Sequence, residues 1–169
     1  MLNERNIKNY VRNNLPKLEL FYDKILHNKV HSDIYLLIPK GNNALLWFTR
    51  INNFNRVLLI YINKYNLVTH VEDVHLSFNK ELSYGTILYG TVFLIDKVKH
   101  MTVEDIYFYK GKAISNTFTN VLERIKIMKY VFDKQVKQKL LTNKSILLGL
   151  PVFSEKIGYC FNLIKNLNY

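Results

Sequence analysis

His70, Glu72, Asp73 and His75 crowd into six residues, and each is a type that binds a divalent metal. A zinc-like ion needs such ligands to converge on one point. The surrounding run, Val71 to Phe78, reads as a strand, in which side chains alternate between faces. His70 and Glu72 then share one face while Asp73 and His75 take the other, so no metal site is expected. Cys160 is the only cysteine and has no local His or acid in a nucleophile motif, so it reads as a buried thiol in a reducing compartment. No Ser-centred elbow, phosphate-cradling glycine loop or zinc spacing occurs, which sets aside the common hydrolase, P-loop and zinc-finger readings.

Binding chemistry is better represented. Lys and Arg total 24 against 13 Asp and Glu, a formal charge of +11. That excess repels itself in the folded state and attracts polyanions, nucleic acid above all. The competing account is an AT-rich genome, whose codons favour Lys, Asn, Ile and Tyr; only five of the cations are Arg. Lys40, Arg50, Arg56, Lys110 and Lys112 all fall at strand ends or turns, where one rim of a sheet would bring them to phosphates. Solvated turn lysines are the alternative. Trp47, the only tryptophan, lies in Ala-Leu-Leu-Trp-Phe-Thr, where a core role is the default and stacking on a base the functional reading. Glu104 and Asp105 alternate to opposite faces, so one of the two acids turns inward and needs partners there.

The elements that must position these residues follow from periodicity. Ile7, Val11 and Leu15 recur at i+4, and after Pro16 a second helical stripe runs through Leu18, Phe21, Tyr22, Ile25 and Leu26. Residues 34 to 39, 44 to 49 and 56 to 62 are apolar runs separated by turn residues, which predict a three-stranded meander. Residues 71 to 78 form a weaker strand. Residues 84 to 95 and 101 to 109 follow, joined by the charged turn 96 to 100 and closed by Lys110-Gly111-Lys112. Asn120 with Glu123 has capping-box spacing, and a helix runs from there to about Leu140. A strand at 145 to 151 precedes an apolar tail. These elements predict one α+β domain over residues 1–169, an antiparallel sheet with packed helices: a helical region at 1–30, a core at 34–135, and a strand and tail at 145–169. No apolar run spans a bilayer and the first residues lack a signal-peptide centre, so the expectation is an intracellular protein with no membrane partner.

Residues 38 to 50, Ile-Pro-Lys-Gly-Asn-Asn-Ala-Leu-Leu-Trp-Phe-Thr-Arg, resemble the first strand pair of the mRNA capping guanylyltransferases and of the snurportin cap-binding domain. In the enzymes a Lys-x-Asp-Gly motif supplies the lysine that bonds to GMP; the matching positions here are Lys40, Gly41, Asn42 and Asn43. Their Asp-Gly-Glu motif is matched by Tyr89-Gly90-Thr91, with both acids replaced. Residues 103 to 112 resemble the next strand and turn, and Arg124 resembles an arginine on the helix that follows. The likeness covers roughly residues 34 to 135. The enzymes and snurportin continue with a further strand and motifs that complete the pocket, so the pocket is truncated here, completed by a protein partner, or the sequence is one part of a longer protein. The chain is also similar to a family of uncharacterised proteins of giant DNA viruses.

The resemblance implies a guanylyltransferase- or snurportin-like core that binds an RNA 5′ cap or a nucleotide without catalysis, a pseudoenzyme of a viral mRNA-handling system acting in host cytoplasm or nucleus. Its implied ligand residues are Lys40, Trp47, Thr49, Arg50, Tyr89, Lys110, Lys112 and Arg124, with no metal and no cofactor. A structural subunit of a viral transcription or virion complex is the alternative. An active transferase using Lys40 as nucleophile is the third reading, and it lacks the acids that metal-assisted phosphoryl transfer needs.

Overall fold

The computed structural model describes residues 4–18, 34–65, 67–114, 121–140 and 142–166. Two tight hairpins organise it. Strands β2 (Asn42–Ile51) and β3 (Phe54–Ile62) turn through Asn52–Asn53, both at positive φ (49° and 65°). Strands β6 (Thr86–Ile95) and β7 (Val98–Tyr109) turn through Asp96–Lys97 in the same way (48° and 64°). Two successive left-handed residues give the turn a twist that matches its strands, and Asn and Asp enter that region more readily than other non-glycine residues.

β2 pairs with β6, which joins the hairpins; β4 (Val68–Val74) extends one side and β10 (Ile146–Gly149) the other, giving the order β10-β7-β6-β2-β3-β4. Every neighbouring pair in that order is antiparallel except β10 with β7. A short β8 (Lys112–Ala113) folds back on the end of β7. The protein is thus α+β, a curled and mainly antiparallel sheet with few helices.

Curling brings the outer strands together. His75, just past β4, bridges Ser145, just before β10, with His75 N–H donating to the Lys144 carbonyl at 2.9 Å. Glu72 of β4 forms an ion pair with Lys99 of β7 across the face that carries Leu46, Leu59 and Met101, which makes this face the concave one. Met128 of helix α2 (Val121–Tyr130) and Val131 just after it fill this interior. The opposite face, with Leu45, Trp47, Leu58, Ile60 and Ile87, is covered by α1 (Glu4–Asn14), whose Ile7 and Val11 point into it one turn apart. β2 is therefore buried on both faces, which is why its sequence runs apolar without alternation.

Two expectations need correction. The run at 34 to 39 gives β1 (Tyr35–Leu37), but β1 pairs with β11 (Val152–Ser154) and not with β2. Pro39 lacks the N–H a ladder requires, and the meander is β2-β3-β4 instead. The helix from Val121 stops being α-helical at Tyr130. A π-helical turn over Val131–Gln135 follows, and then β9 (Val136–Lys137), which pairs with β5 (Ser77–Phe78). The Asn79 N–H donating to the Gln135 carbonyl at 2.7 Å draws the chain out of its helix there. The apolar tail forms helix α3 (Ile157–Asn166) beside β1 and β11. The stripe from Phe21 to Leu26 and the cap at Asn120 lie outside the described residues. No helix among the described residues is long and apolar enough to cross a membrane.

Candidate functional site

The basic residues expected on one rim divide between two ends of the sheet. Lys40 is exposed just before β2 and Arg50 is exposed near its far end, ten residues on, which is roughly 30 Å along extended backbone. Lys110 and exposed Lys112 lie on the Arg50 side, since Lys110 N–H donates to Thr86 Oγ1 (3.0 Å) and Thr86 faces Phe48 of β2. The Lys110 ammonium is engaged by Glu81 at 2.5 Å, a pairing that raises the lysine pKa and lowers that of the carboxyl. The single-rim expectation is corrected by strand length alone.

The expected stacking aromatics face inward. Trp47 is 4% exposed and its ring stacks on Tyr10 of α1, centroids 5.5 Å apart at 24°. Its indole N–H has no hydrogen-bond partner among the described residues. Buried Thr49 shares a 2.8 Å hydrogen bond with the Tyr10 hydroxyl. Tyr89 is buried edge-on against Tyr107 at 6.0 Å. In this arrangement neither Trp47 nor Tyr89 offers a ring face to an incoming base. Arg124 reaches in from α2 to the buried Asp105 carboxylate, Nη1 to Oδ2 at 2.7 Å.

Tyr89-Gly90-Thr91 has a packing explanation. A Cβ on Gly90 would lie 1.9 Å from the Thr102 carbonyl oxygen, so β7 tolerates only glycine there. The close approach accompanies a bulge: Tyr89 faces Asp105 but Gly90 faces Val103, leaving Glu104 as the additional residue. Thr91 Oγ1 donates to Glu104 Oε1 at 2.6 Å. Asp105 and Glu104 therefore stand across the ladder from Tyr89 and Thr91. Burial pushes both carboxyl pKa values up; Thr91 counters this at Glu104, and Arg124 counters it at Asp105. No three His, Cys, Asp or Glu side chains converge as metal ligands among the described residues. In the 70–75 segment Asp73 binds Arg56 at 2.6 Å, while His75 Nδ1 lies 2.8 Å from Thr142 Oγ1.

The mouth of the curled sheet holds a polar cleft of about 490 Å³ lined by Asn42, Tyr61, Ile62, Asn63, Thr69, His70 and Glu72. Cross-strand pairing puts Tyr61 opposite both Ala44 and His70, and the Tyr61 and His70 rings lie 5.8 Å apart at 34°. Glu72 is anchored through Oε2 to Lys99, and its Oε1 is 3.7 Å from His70 Nε2. Desolvation first, and then the Glu72 carboxylate, raise the Tyr61 phenol above the ordinary tyrosine range. Asn63 fixes the turn beside the cleft by accepting from the N–H groups of Tyr65 (2.9 Å) and Leu67 (3.0 Å). Lys40 lies two residues before the lining residue Asn42, and Lys64 directly follows the lining residue Asn63. The shared face of His70 and Glu72 was readable from their spacing; the part played by Tyr61 and Asn42 required the pairing of β2, β3 and β4.

No protein-family model matches the chain. It is similar to an uncharacterised protein of Acanthamoeba polyphaga mimivirus, 26% identical over 101 residues. The aligned stretch makes up 57% of this chain and 31% of the mimivirus protein, so the chain matches about a third of that relative's length. The similarity supports an origin among the giant DNA viruses.

Proposed function

We propose that the chain is a non-catalytic module, built on a guanylyltransferase- or snurportin-like core, that binds an RNA 5′ cap or nucleotide in a giant-virus mRNA-handling system. The observation that carries this reading is the cleft at the sheet mouth, an aromatic wall with an anchored carboxylate. Ligand sites favour such concave mouths with a few placed polar groups. A base stacks on Tyr61 and His70, whose rings already line the cleft. Glu72 selects guanine, because only guanine presents two adjacent N–H donors to one carboxylate. Lys40 and Lys64 meet the phosphates. Asn42, Tyr89 and Thr91 stand where a transferase needs acids, which supports binding without group transfer.

Equilibrium binding of one RNA in capped, 5′-triphosphate and 5′-hydroxyl forms tests the reading. The capped form should bind most tightly, and His70→Ala, at an exposed position, should weaken it about tenfold, the scale of one lost stacking partner. Equal affinity for the three forms would refute the cap. Incubation with labelled GTP and magnesium should leave no label on denatured protein; retained label at Lys40 would establish the transferase. A second reading, an interaction subunit, is favoured by Phe153, Ile157, Phe161 and Ile164, all about half exposed on β11 and α3. Under it, no cap analogue or nucleotide raises the melting temperature.

A further inference from the structure

We infer that the exposed lysines from Lys126 to Lys144 form a track for the phosphate backbone of single-stranded RNA, a site separate from the mouth cleft. Lys126, Lys129, Lys134, Lys137, Lys139 and Lys144 are all exposed, and none pairs with a carboxylate among the described residues. Elsewhere the chain does neutralise lysines: Lys8 binds Glu4, Lys99 binds Glu72 and Lys110 binds Glu81. Only Asp133 is acidic over the same stretch. Six like charges without counter-charges repel one another, a cost that a polyanion removes while releasing its own condensed ions.

The backbone under these lysines is held firmly. Met128, Val131 and Val136 are buried in the concave core, which turns the intervening lysines outward. β9 is pinned to β5 with Lys137 opposite Ser77. The Gln138 amide then makes two 2.7 Å bonds to the Leu148 backbone, and the Lys144 carbonyl accepts from His75 N–H. Lys137 ends β9 and Lys139 follows two residues on, at most about 7 Å along the backbone, a spacing that suits successive phosphates of a stretched strand. Tyr130, 52% exposed, stands among the helical lysines and offers a ring to an unstacked base, which a duplex does not present. β4 connects the two sites: His70 in the cleft and His75 beside Lys144 are five residues apart, roughly 17 Å. A strand whose 5′ end occupies the cleft has a basic path onward.

Fluorescence anisotropy with a 5′-hydroxyl oligouridine, titrated over a range of salt concentrations, tests the track without engaging the cap. With four phosphates contacted, the slope of log affinity against log salt should be roughly −3. The triple variant Lys134→Gln/Lys137→Gln/Lys139→Gln, all at exposed positions, should flatten that slope by roughly 2 and leave the melting temperature unchanged. Tyr130→Ala should weaken binding about tenfold with the slope retained. His70→Ala should leave oligouridine binding intact while it impairs cap binding, so the two sites fail separately. A triple variant with wild-type slope and affinity would overturn the track. So would duplex RNA binding as tightly as single strands, or polyglutamate displacing the oligomer as well as RNA does, the latter assigning the face to an acidic protein.

Discussion

Replacing Arg124 by Met leaves the Asp105 carboxylate buried without its counter-charge while keeping most of the side-chain volume. Asp105 is buried on the convex side of β7, and Arg124 is largely covered as it crosses from α2. Breaking a buried pair by removing one member costs about 3–5 kcal/mol, because the remaining charge stays desolvated. For a domain of this size that corresponds to a fall of roughly 6–20 °C in melting temperature. Urea unfolding followed by the fluorescence of Trp47, the only tryptophan, measures it directly. The pH dependence carries the sharper signature. Burial already raises the Asp105 pKa against the opposing pull of Arg124, and removing the arginine raises it further. A carboxyl with a raised folded pKa holds its proton where the unfolded chain has lost it, so stability rises as pH falls through that interval. Arg124→Met should therefore be most destabilised near neutral pH and recover part of the loss on acidification. Asp105→Asn added to it should restore stability at neutral pH and remove the recovery. If the single and double variants are equally unstable, and neither depends on pH, Arg124 acts by packing and the ion-pair reasoning fails.

Other outcomes follow from the same geometry. Gly90→Ala must push β7 off β6 at the bulge, and chemical denaturation should show a loss of roughly 3 kcal/mol, the upper range for overpacking. Tyr61 should resist ionisation beyond the ordinary tyrosine range in an ultraviolet titration, and Glu72→Gln should bring its midpoint down; an ordinary midpoint in the wild type would refute the desolvated Tyr61–Glu72 contact. Because the unfolded chain ionises that phenol near 10, stability should decline as pH rises above that value.

β2 and β3 were legible as short apolar runs bounded by turn residues, and α1 from its helical i+4 pattern. The turn at Asn52–Asn53 was legible because Asn tolerates its left-handed backbone, whereas the charged turn expected over residues 96 to 100 closes over Asp96–Lys97 alone and leaves Val98 to His100 in β7. Partner choice was not: nothing local in Tyr35–Leu37 reveals that it pairs with Val152–Ser154. The end of α2 was missed because the competing partner, β5, lies more than fifty residues earlier in the chain. Site residues suffered most. Trp47 and Tyr89 carry the right chemistry for stacking, but their exposure depends on α1 lying over one face and on Tyr107 across the ladder. Lys110 looked available until Glu81 was placed beside it. Charge pairing is a property of the folded arrangement, so sequence alone does not separate Lys8, Lys99 and Lys110 from the lysines of 126 to 144, which pair with no carboxylate among the described residues.

The bridge between His75 and Ser145 also bears on the order in which the molecule forms. The β2–β3 and β6–β7 hairpins close over two residues each, whereas this contact closes a loop of about 70, an entropic cost of about 4 kcal/mol beyond a constant. Local hairpins therefore assemble first and the curl last. Until it closes, Leu46, Leu59 and Met101 face water, and such a species is prone to aggregate. The mouth cleft draws its lining from β2, β3 and β4, and Lys99 of β7 anchors its carboxylate only once the curl is complete. A ligand held there would favour the finished fold over its unclosed precursor, so refolding yield should respond to the ligand as well as binding does.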